Sequence, residues 1–260
     1  MQMSYFSVIK EVLKTDFTIF RKNVLDKIID LAIWIITITF VSVYLMAAFG
    51  VTDSFGSFMV AGLIASAGLF EVFPEVMNLV SDFEGNQIIM FYTLLPIPTS
   101  FVFIRLLLYY TLSSFFLALC TIPMLKAFFW YSISFEATSI VQLFVIMILT
   151  SALYGALILW TASMVPSIQK IGSVWMRFIY PLWFMGGFQF SWLMLYQAFP
   201  RIAIVSLLNP LMYVMEGTRA AFSGQEGYLP FWACAGMLLI FTAGFSWHAI
   251  KRLKRRLDFI

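Results

Sequence analysis

Residues 139–165 read SIVQLFVIMILTSALYGALILWTASMV and contain no charged side chain. A helix that crosses a bilayer needs about 20 apolar residues, so this stretch is long enough to span one. Further apolar stretches of similar length lie on both sides of it. The sequence therefore predicts six transmembrane helices, at residues 31–50, 57–79, 99–121, 139–165, 173–195 and 229–250.

The composition of the whole chain agrees with this pattern. Of its 260 residues, 62% are hydrophobic and 11% are charged, and the mean hydropathy is +0.93. Soluble domains carry about 25% charged residues. Helices satisfy their backbone hydrogen bonds internally, as a bilayer requires. We therefore expect an all-α integral membrane protein with a single transmembrane domain over residues 1–260.

Candidate metal and redox residues are few. Cys120 and Cys234 fall in or beside apolar stretches and are expected to be small buried side chains rather than a disulfide. His248 is the one histidine of the chain, and it has no cysteine or carboxylate cluster beside it in the sequence. We expect no catalytic site, no metal and no cofactor on this chain.

Residues 4–30 precede the first span and have a different pattern. Apolar residues recur there every three or four positions, with lysines, arginines and acidic residues between them. This period is typical of an amphipathic helix, and we expect it to lie in the membrane interface.

Basic residues concentrate at the two ends of the chain, and they predict its orientation in the membrane. By the positive-inside rule both termini are expected in the cytoplasm. The residues concerned are Lys10, Lys14, Arg21, Lys22 and Lys27 before the first span, and Lys251, Arg252, Lys254, Arg255 and Arg256 after the last.

Residues 81–98, SDFEGNQIIMFYTLLPIP, join the second and third spans and are expected on the cytoplasmic side. Residues 87–95 can form a short helix, which Pro96 and Pro98 would end because proline lacks the amide hydrogen. Its apolar side chains would lie at the membrane boundary. Such a surface either sits among lipid headgroups or contacts a protein partner.

Residues 197–227 form a second unusual region, predicted on the outer side. Asn209 is a favourable N-cap and Pro210 a favourable first helical residue, so a helix over 210–222 is expected, with Gly224 at its C-terminal end. Glu216 and Arg219 are three residues apart and can pair on this helix. A short apolar helix, a break and a second helix predict a pair that dips into the outer leaflet and returns.

Four charged residues fall inside predicted spans, where charges are costly and usually partnered. Glu71 and Glu75 lie one turn apart on the second span, and Arg105 lies early on the third. They indicate either a gate or substrate contact, or an ion pair that joins the two spans, and we expect the ion pair. Arg177, one turn into the fifth predicted span, is expected to snorkel to the inner surface.

The fifth span and its sequel, FIYPLWFMGGFQFSW at 178–192, are rich in aromatic residues. Gly186 and Gly187 would allow a second helix to approach closely, which makes this span a candidate dimer seam. The aromatic side chains either line a translocation path there or make ordinary packing and lipid contacts. The path candidates are Phe184, Phe188, Phe190 and Trp192.

The layout resembles the ABC-2 family of ABC transporter permeases over essentially the whole chain. The motif that carries the resemblance is SLLNPLMYVMEGTRAAF at 206–222, an Asn-Pro followed by an aromatic residue and a Gly-x-Arg. LLPIPTS at 94–100 is similar to the end of the family's coupling segment. Upstream, Glu84 and Gly85 match a family pattern in which Asn86 departs from the usual threonine.

The resemblance implies a membrane subunit of an ATP-driven exporter in the bacterial cytoplasmic membrane. Residues 81–98 would be the coupling segment, which docks on a separate ATP-binding subunit that holds ATP and Mg. This chain lacks the GxxxxGK[ST] phosphate-binding loop, so it would not hydrolyse ATP itself. The implied coupling residues are Glu84, Gly85, Ile88, Ile89, Phe91, Tyr92, Leu94, Leu95 and Pro96.

The resemblance also implies an outer re-entrant motif and an assembly of two permeases, a homodimer or a pair of close relatives, with no nucleic-acid partner. The substrate would be a hydrophobic or amphipathic drug or lipid. A polysaccharide or lipid-linked glycan is the alternative within the family, and a secondary transporter without an ATPase is the alternative outside it. The re-entrant residues are Asn209, Pro210, Tyr213, Glu216, Gly217 and Arg219.

Overall fold

The computed structural model of the chain describes residues 5–50, 53–86, 88–95, 97–128 and 137–257. These residues form helices joined by turns, and none of them belongs to a β-strand. The α-helices are α1 (Tyr5–Thr39), α2 (Asp53–Ser66), α3 (Val72–Ser81), α4 (Ile88–Thr93), α5 (Thr99–Phe128), α6 (Ile140–Met164), α7 (Ile168–Val174), α8 (Tyr180–Met185), α9 (Trp192–Ala198), α10 (Pro200–Ser206), α11 (Pro210–Ser223) and α12 (Phe231–Leu257).

Among the described residues, four helical segments are long and apolar enough to cross a membrane: Val8–Leu45, Thr99–Phe128, Ile140–Met164 and Phe231–Arg255. The first consists of α1 and the π-helical turn Phe40–Leu45 that follows it. These segments confirm the prediction of an all-helical, membrane-embedded protein. They correspond to the first, third, fourth and sixth expected spans.

The two other expected spans, 57–79 and 173–195, are interrupted. In the first, a turn and the 3₁₀ segment Leu69–Glu71 separate α2 from α3. Tyr154 Oη donates to Ala65 O over 2.6 Å and Ser114 Oγ to Gly68 O over 3.4 Å, so side chains of other helices satisfy carbonyls at this break. In the second, the π-helical turn Trp175–Ile179 and a non-helical stretch at 186–191 divide α7, α8 and α9.

The N-terminal region also differs from its prediction. The expected interfacial helix at 4–30 and the first span at 31–50 belong to one helix with no break at residue 30. Two ion pairs attach α1 to the bundle along its length. They join Asp16 to Arg105 of α5 and Lys27 to Glu75 of α3.

Helix α6 lies at the centre of the bundle and packs against α3, α5, α11 and α12. Small residues allow two of these close contacts. A Cβ at Gly155 would lie 2.7 Å from Thr111 Oγ1 of α5, and a Cβ at Gly217 would lie 2.7 Å from Ile146 Cδ1 of α6. Cys120 and Cys234 are both free, as predicted, and Cys234 is fully buried in the core.

The two ends of the bundle are distinguished by the contacts of α6. At its C-terminal end, Arg252 of α12 donates to Ser163 O over 3.0 Å, and Lys254 donates to Ser100 Oγ nearby. We call this the connector end, because residues 81–98 lie there. At its N-terminal end, Ser139 N donates to Ala221 O of α11 over 2.9 Å. We call this the far end.

Candidate functional site

The first candidate site is the connector segment, residues 81–98, which leaves α3 through the π-helical turn Asp82–Asn86 and forms α4. Asp82 fixes the start of α4, because its two carboxylate oxygens accept from Ile88 N at 2.9 Å and Ile89 N at 2.8 Å. These amides have no partner inside the helix. The short helix expected over 87–95 is present at Ile88–Thr93, while Gln87 and Pro96 lie outside the described residues.

A series of aromatic and ionic contacts connects α4 to the interior of the bundle. The Tyr92 ring lies 4.2 Å from Arg105 Cζ, within the range of a cation–π interaction. Arg105 in turn donates from Nε and Nη2 to the two carboxylate oxygens of Asp16, each over 2.7 Å. This forked geometry is among the stronger hydrogen-bond arrangements in proteins. The connector is therefore linked to α5 and, through α5, to α1.

A third contact reaches the start of the interrupted fifth segment. Glu84 Oε1 accepts from Ile168 N, the first residue of α7, over 3.2 Å. Ile89 is buried, and Tyr92 and Leu95 pack against the core. The inner side of the connector is thus held by α5 and α7, and α3 leads directly into it.

The outer side of the connector is apolar and uncovered. Ile88, Phe91 and Leu94 have 51%, 60% and 78% of their surface exposed. Gly85 is exposed as well, and a Cβ placed on it would meet no atom within 4 Å. The residues proposed from the sequence for coupling therefore fall into two groups. Ile89, Tyr92 and Leu95 face the bundle, whereas the exposed residues named above face away from it.

The expected ion pair between the second and third spans is corrected by the structure. Glu75 accepts from Lys27 Nζ over 2.7 Å, whereas Arg105 pairs with Asp16. The Glu71 side chain lies outside the described residues. Asp16 and Lys27 are eleven residues apart, about three helical turns, so both lie on the same face of α1. Opposite charges at this spacing on an amphipathic helix are the signal that sequence reasoning missed.

The second candidate site is the motif at 206–222, which forms a helical hairpin of α10 and α11. Asn209 caps α11 as predicted, with Oδ1 accepting from Leu211 N at 3.0 Å, and its Nδ2 donates to Leu182 O of α8 over 2.7 Å. Tyr213 Oη donates to Leu207 O over 2.8 Å and closes the turn. The tip of the hairpin therefore lies against α8, with Asn209 buried there and Leu208 exposed.

Helix α11 runs from this tip to the far end of the bundle. Its 14 residues extend about 21 Å. It ends at Ser223, one residue beyond the predicted end, and Gly224 follows with a φ of +94°, a conformation that favours glycine. The C-terminal end of α11 lies beside Ser139, at the start of α6.

Glu216 and Arg219, both fully buried, lie at the middle of α11 with 3.8 Å between Oε1 and Nη1. The Glu216 oxygens accept from Trp192 N and Leu229 N, each over 3.0 Å. These two amides belong to the start of α9 and to the segment before α12. The carboxylate thus joins three parts of the chain that are distant in sequence.

Arg219 binds the non-helical stretch at 186–191. Its Nη2 donates to Phe188 O over 2.8 Å and its Nη1 to Phe190 O over 3.2 Å. The guanidinium carbon lies 3.6 Å from the centre of the Phe58 ring. Arg219 therefore supplies hydrogen bonds to carbonyls that have left helical geometry.

The residues of the predicted dimer seam contact other residues of the same chain. A Cβ at Gly186 would lie 2.7 Å from Leu211 Cβ, so this glycine allows α8 to approach α11. Gly187 has a φ of +88° and is buried, as is Phe188, whose ring lies 4.4 Å from that of Trp183. Gly186 and Gly187, expected at the dimer seam, and Phe188, expected on the translocation path, thus make these contacts within the chain. Phe184, Phe190 and Trp192 are half-buried.

Searches of protein-family models, of curated proteins and of solved structures found no match to this chain. Two local arrangements therefore bear on its function. One is an anchored helix with an exposed apolar side at the connector end. The other is a buried charged pair that holds a hairpin and an irregular stretch within the bundle.

Proposed function

We propose that this chain is the membrane-spanning permease subunit of an ATP-driven exporter, and that its connector segment docks on a separate ATP-binding subunit. The observation that carries this proposal is the two-sided character of α4. Phe91 and Leu94 are exposed on one side, while Tyr92 stacks on Arg105 on the other. A surface that receives mechanical work must be open to its partner and fixed to the helices that are to move.

Lipid headgroups could also cover Phe91 and Leu94, but they do not account for the anchoring. Headgroups are fluid and cannot transmit a directed force. Asp82 fixes α4 within the connector and Glu84 ties the connector to α7, because their carboxylates accept hydrogen bonds from backbone amides. This fixed geometry favours a protein partner over a lipid surface.

The position of the connector supports a cytoplasmic location for it. Arg252 and Lys254 of α12 make their contacts at the same end of the bundle as the connector. Basic residues beside spanning helices favour the cytoplasmic side. An ATP-binding subunit, with its ATP and Mg, would reach the connector there, and the membrane would be the bacterial cytoplasmic membrane.

The α10–α11 hairpin supports an outer re-entrant pair that closes the far side of the transport path. Non-helical backbone at membrane depth requires protein or water to satisfy it. Arg219 does this for Phe188 O and Phe190 O. In the proposed assembly two permeases, alike or closely related, would enclose the path for a hydrophobic or amphipathic substrate such as a drug or a lipid.

The substitution Phe91→Asp tests this function. We expect it to weaken association with the ATP-binding subunit at least tenfold and to abolish substrate-stimulated ATP hydrolysis, because a central apolar anchor is typically worth about 2 kcal/mol or more. The matched control, Phe91→Leu, keeps an apolar side chain and should retain both properties. The measurements are co-purification of a subunit that carries a phosphate-binding loop, and ATPase activity of the complex in nanodiscs.

Intact coupling in the Phe91→Asp complex would contradict the docking site. Transport by the purified chain alone, driven by an ion gradient, would contradict the proposed function as a whole.

A further inference from the structure

A groove runs between the α7–α8 segment and α10, and the start of the motif at 206–222 lines one end of it. One wall is formed by Arg177, Pro181 and Met185, and the other by Ile202, Val205 and Leu208. Its volume is about 320 Å³. We call it the α8–α10 groove.

Arg177 is exposed at the wall of this groove. Ile168, at the start of α7, contacts Glu84 of the connector, and Arg177 follows nine residues later. At about 1.5 Å per residue this places it about 13 Å along the helical segment from Ile168.

Arg177 also lacks a counter-charge. Within the described parts of the chain, no ion pair or hydrogen bond involves its guanidinium, which sits in the π-helical turn Trp175–Ile179. The polar neighbours in the groove are engaged elsewhere. Ser206 Oγ donates to Ala203 O over 2.7 Å, and the Asn209 amide bonds to Leu182 O and Leu211 N.

A guanidinium on the wall of an otherwise apolar groove in a membrane protein favours a ligand that carries an anionic headgroup. Among the described residues that line the groove, Arg177 carries the only charge. The geometry therefore calls for a ligand with one anionic group beside apolar surface. A guanidinium matches a phosphate group well, because two parallel N–H donors can bind two of its oxygens.

We propose that the α8–α10 groove binds an anionic phospholipid, with its phosphate on Arg177 and the first part of an acyl chain against Pro181, Ile202 and Val205. The groove volume is at the lower end of the range of about 300–1,000 Å³ for ligand sites, so it holds part of the lipid and leaves the rest in the bilayer. This site requires only the present chain, and it stands or falls independently of the ATP-binding partner.

Native mass spectrometry of the full chain in detergent micelles tests the proposal. The probes are dioleoyl phosphatidylglycerol, dioleoylglycerol, which has the same chains without the phosphate, and glycerol 3-phosphate, which has the phosphate without the chains. We expect the wild-type chain to bind phosphatidylglycerol at least about tenfold more tightly than either of the other two probes. One charge-assisted hydrogen bond is enough to give a gain in affinity of this size.

Arg177→Gln should reduce the affinity for phosphatidylglycerol to that for dioleoylglycerol. Arg201→Gln is the matched control, since Arg201 is exposed on α10 outside this groove, and its affinity should equal that of the wild type. Arg177→Lys keeps the charge but loses the two parallel N–H donors, so its affinity should be intermediate. It serves as the test variant if Arg177→Gln does not fold. Val205→Trp fills the apolar part of the groove. It should weaken the binding of phosphatidylglycerol although the charge of Arg177 is kept.

Wild-type affinity in the Arg177→Gln chain would overturn the proposal. So would equal binding of phosphatidylglycerol and dioleoylglycerol by the wild-type chain. If Arg177→Gln instead turned a dimer into monomers without changing lipid binding, the groove would be the seat of a second copy of the chain, and the proposal would again be wrong.

Discussion

Arg219 is the largest fully buried side chain in the described structure, and its surroundings account for its charge. Two carbonyls accept from it, the Phe58 ring lies over it, and Glu216 provides the opposite charge. Glu216 is likewise satisfied by two backbone amides. The pair therefore holds the irregular stretch, α9 and the start of α12 in one arrangement.

Replacing Arg219 with methionine should destabilise the protein strongly. The change leaves a buried carboxylate without its counter-charge and two carbonyls without donors, and removing one partner of a buried ion pair costs about 3–5 kcal/mol. Thermal unfolding in detergent, followed by intrinsic fluorescence, measures the loss.

Arg201→Met is the control for this experiment. Arg201 is exposed on α10, and surface substitutions usually change stability by less than about 0.5 kcal/mol. Equal unfolding temperatures for the two variants would show that the Glu216–Arg219 pair does not stabilise the fold.

Single residues differ in how far the sequence predicts their role. The caps at Asn209 and Gly224 could be predicted, because a cap depends on the residue itself and its immediate neighbours. The partner of Arg105 could not be predicted from its span alone. Asp16 is 89 positions away and reaches it only because α1 packs along α5.

At the scale of elements, the α10–α11 hairpin depends on one side chain at its tip. Asn209 bonds to its own helix and to α8 at the same time. This double contact fixes the hairpin relative to the interrupted fifth segment. The hairpin should therefore be more sensitive to its cap than an ordinary surface helix.

Asn209→Ala should lower stability by about 2 kcal/mol or more, because it removes the cap and leaves the Leu182 carbonyl without a donor. Ser191 caps α9 by accepting from Met194 N over 3.2 Å and makes no second contact of this kind, so Ser191→Ala should cost about 1 kcal/mol. Chemical denaturation of both variants in detergent measures the difference. A smaller loss for Asn209→Ala than for Ser191→Ala would contradict the tethering role.

The long helices and the broken ones were not equally predictable. Helices α5, α6 and α12 follow from apolar length alone, since each contains an uninterrupted stretch of about 20 or more residues. The breaks at 67–71 and 186–191 depend on Tyr154 and Arg219, which lie far away in the chain. The local sequence around these breaks does not predict which side chains stabilise them.

At the scale of the whole molecule, the connector end and the far end should face opposite sides of the membrane. The start of α7 lies at the connector end, whereas residues 224–230 lie between the far ends of α11 and α12. Gln169 and Glu226 are exposed at these two positions.

Single-cysteine variants test this arrangement in a chain whose Cys120 and Cys234 are replaced by alanine. A membrane-impermeant maleimide should label Glu226→Cys in intact cells, and Gln169→Cys only after the cells are permeabilised. Labelling of both cysteines in intact cells would contradict the two-sided topology and, with it, the cytoplasmic connector.

The unbroken course of α1 has a mechanical consequence. The Lys27–Glu75 pair lies near the middle of this helix, with Asp16 eleven residues to one side and Thr39 twelve to the other, distances of about 17 and 18 Å. Because the helix has no break between them, a displacement of Arg105 would be carried through Asp16 along α1 as far as the buried Thr39.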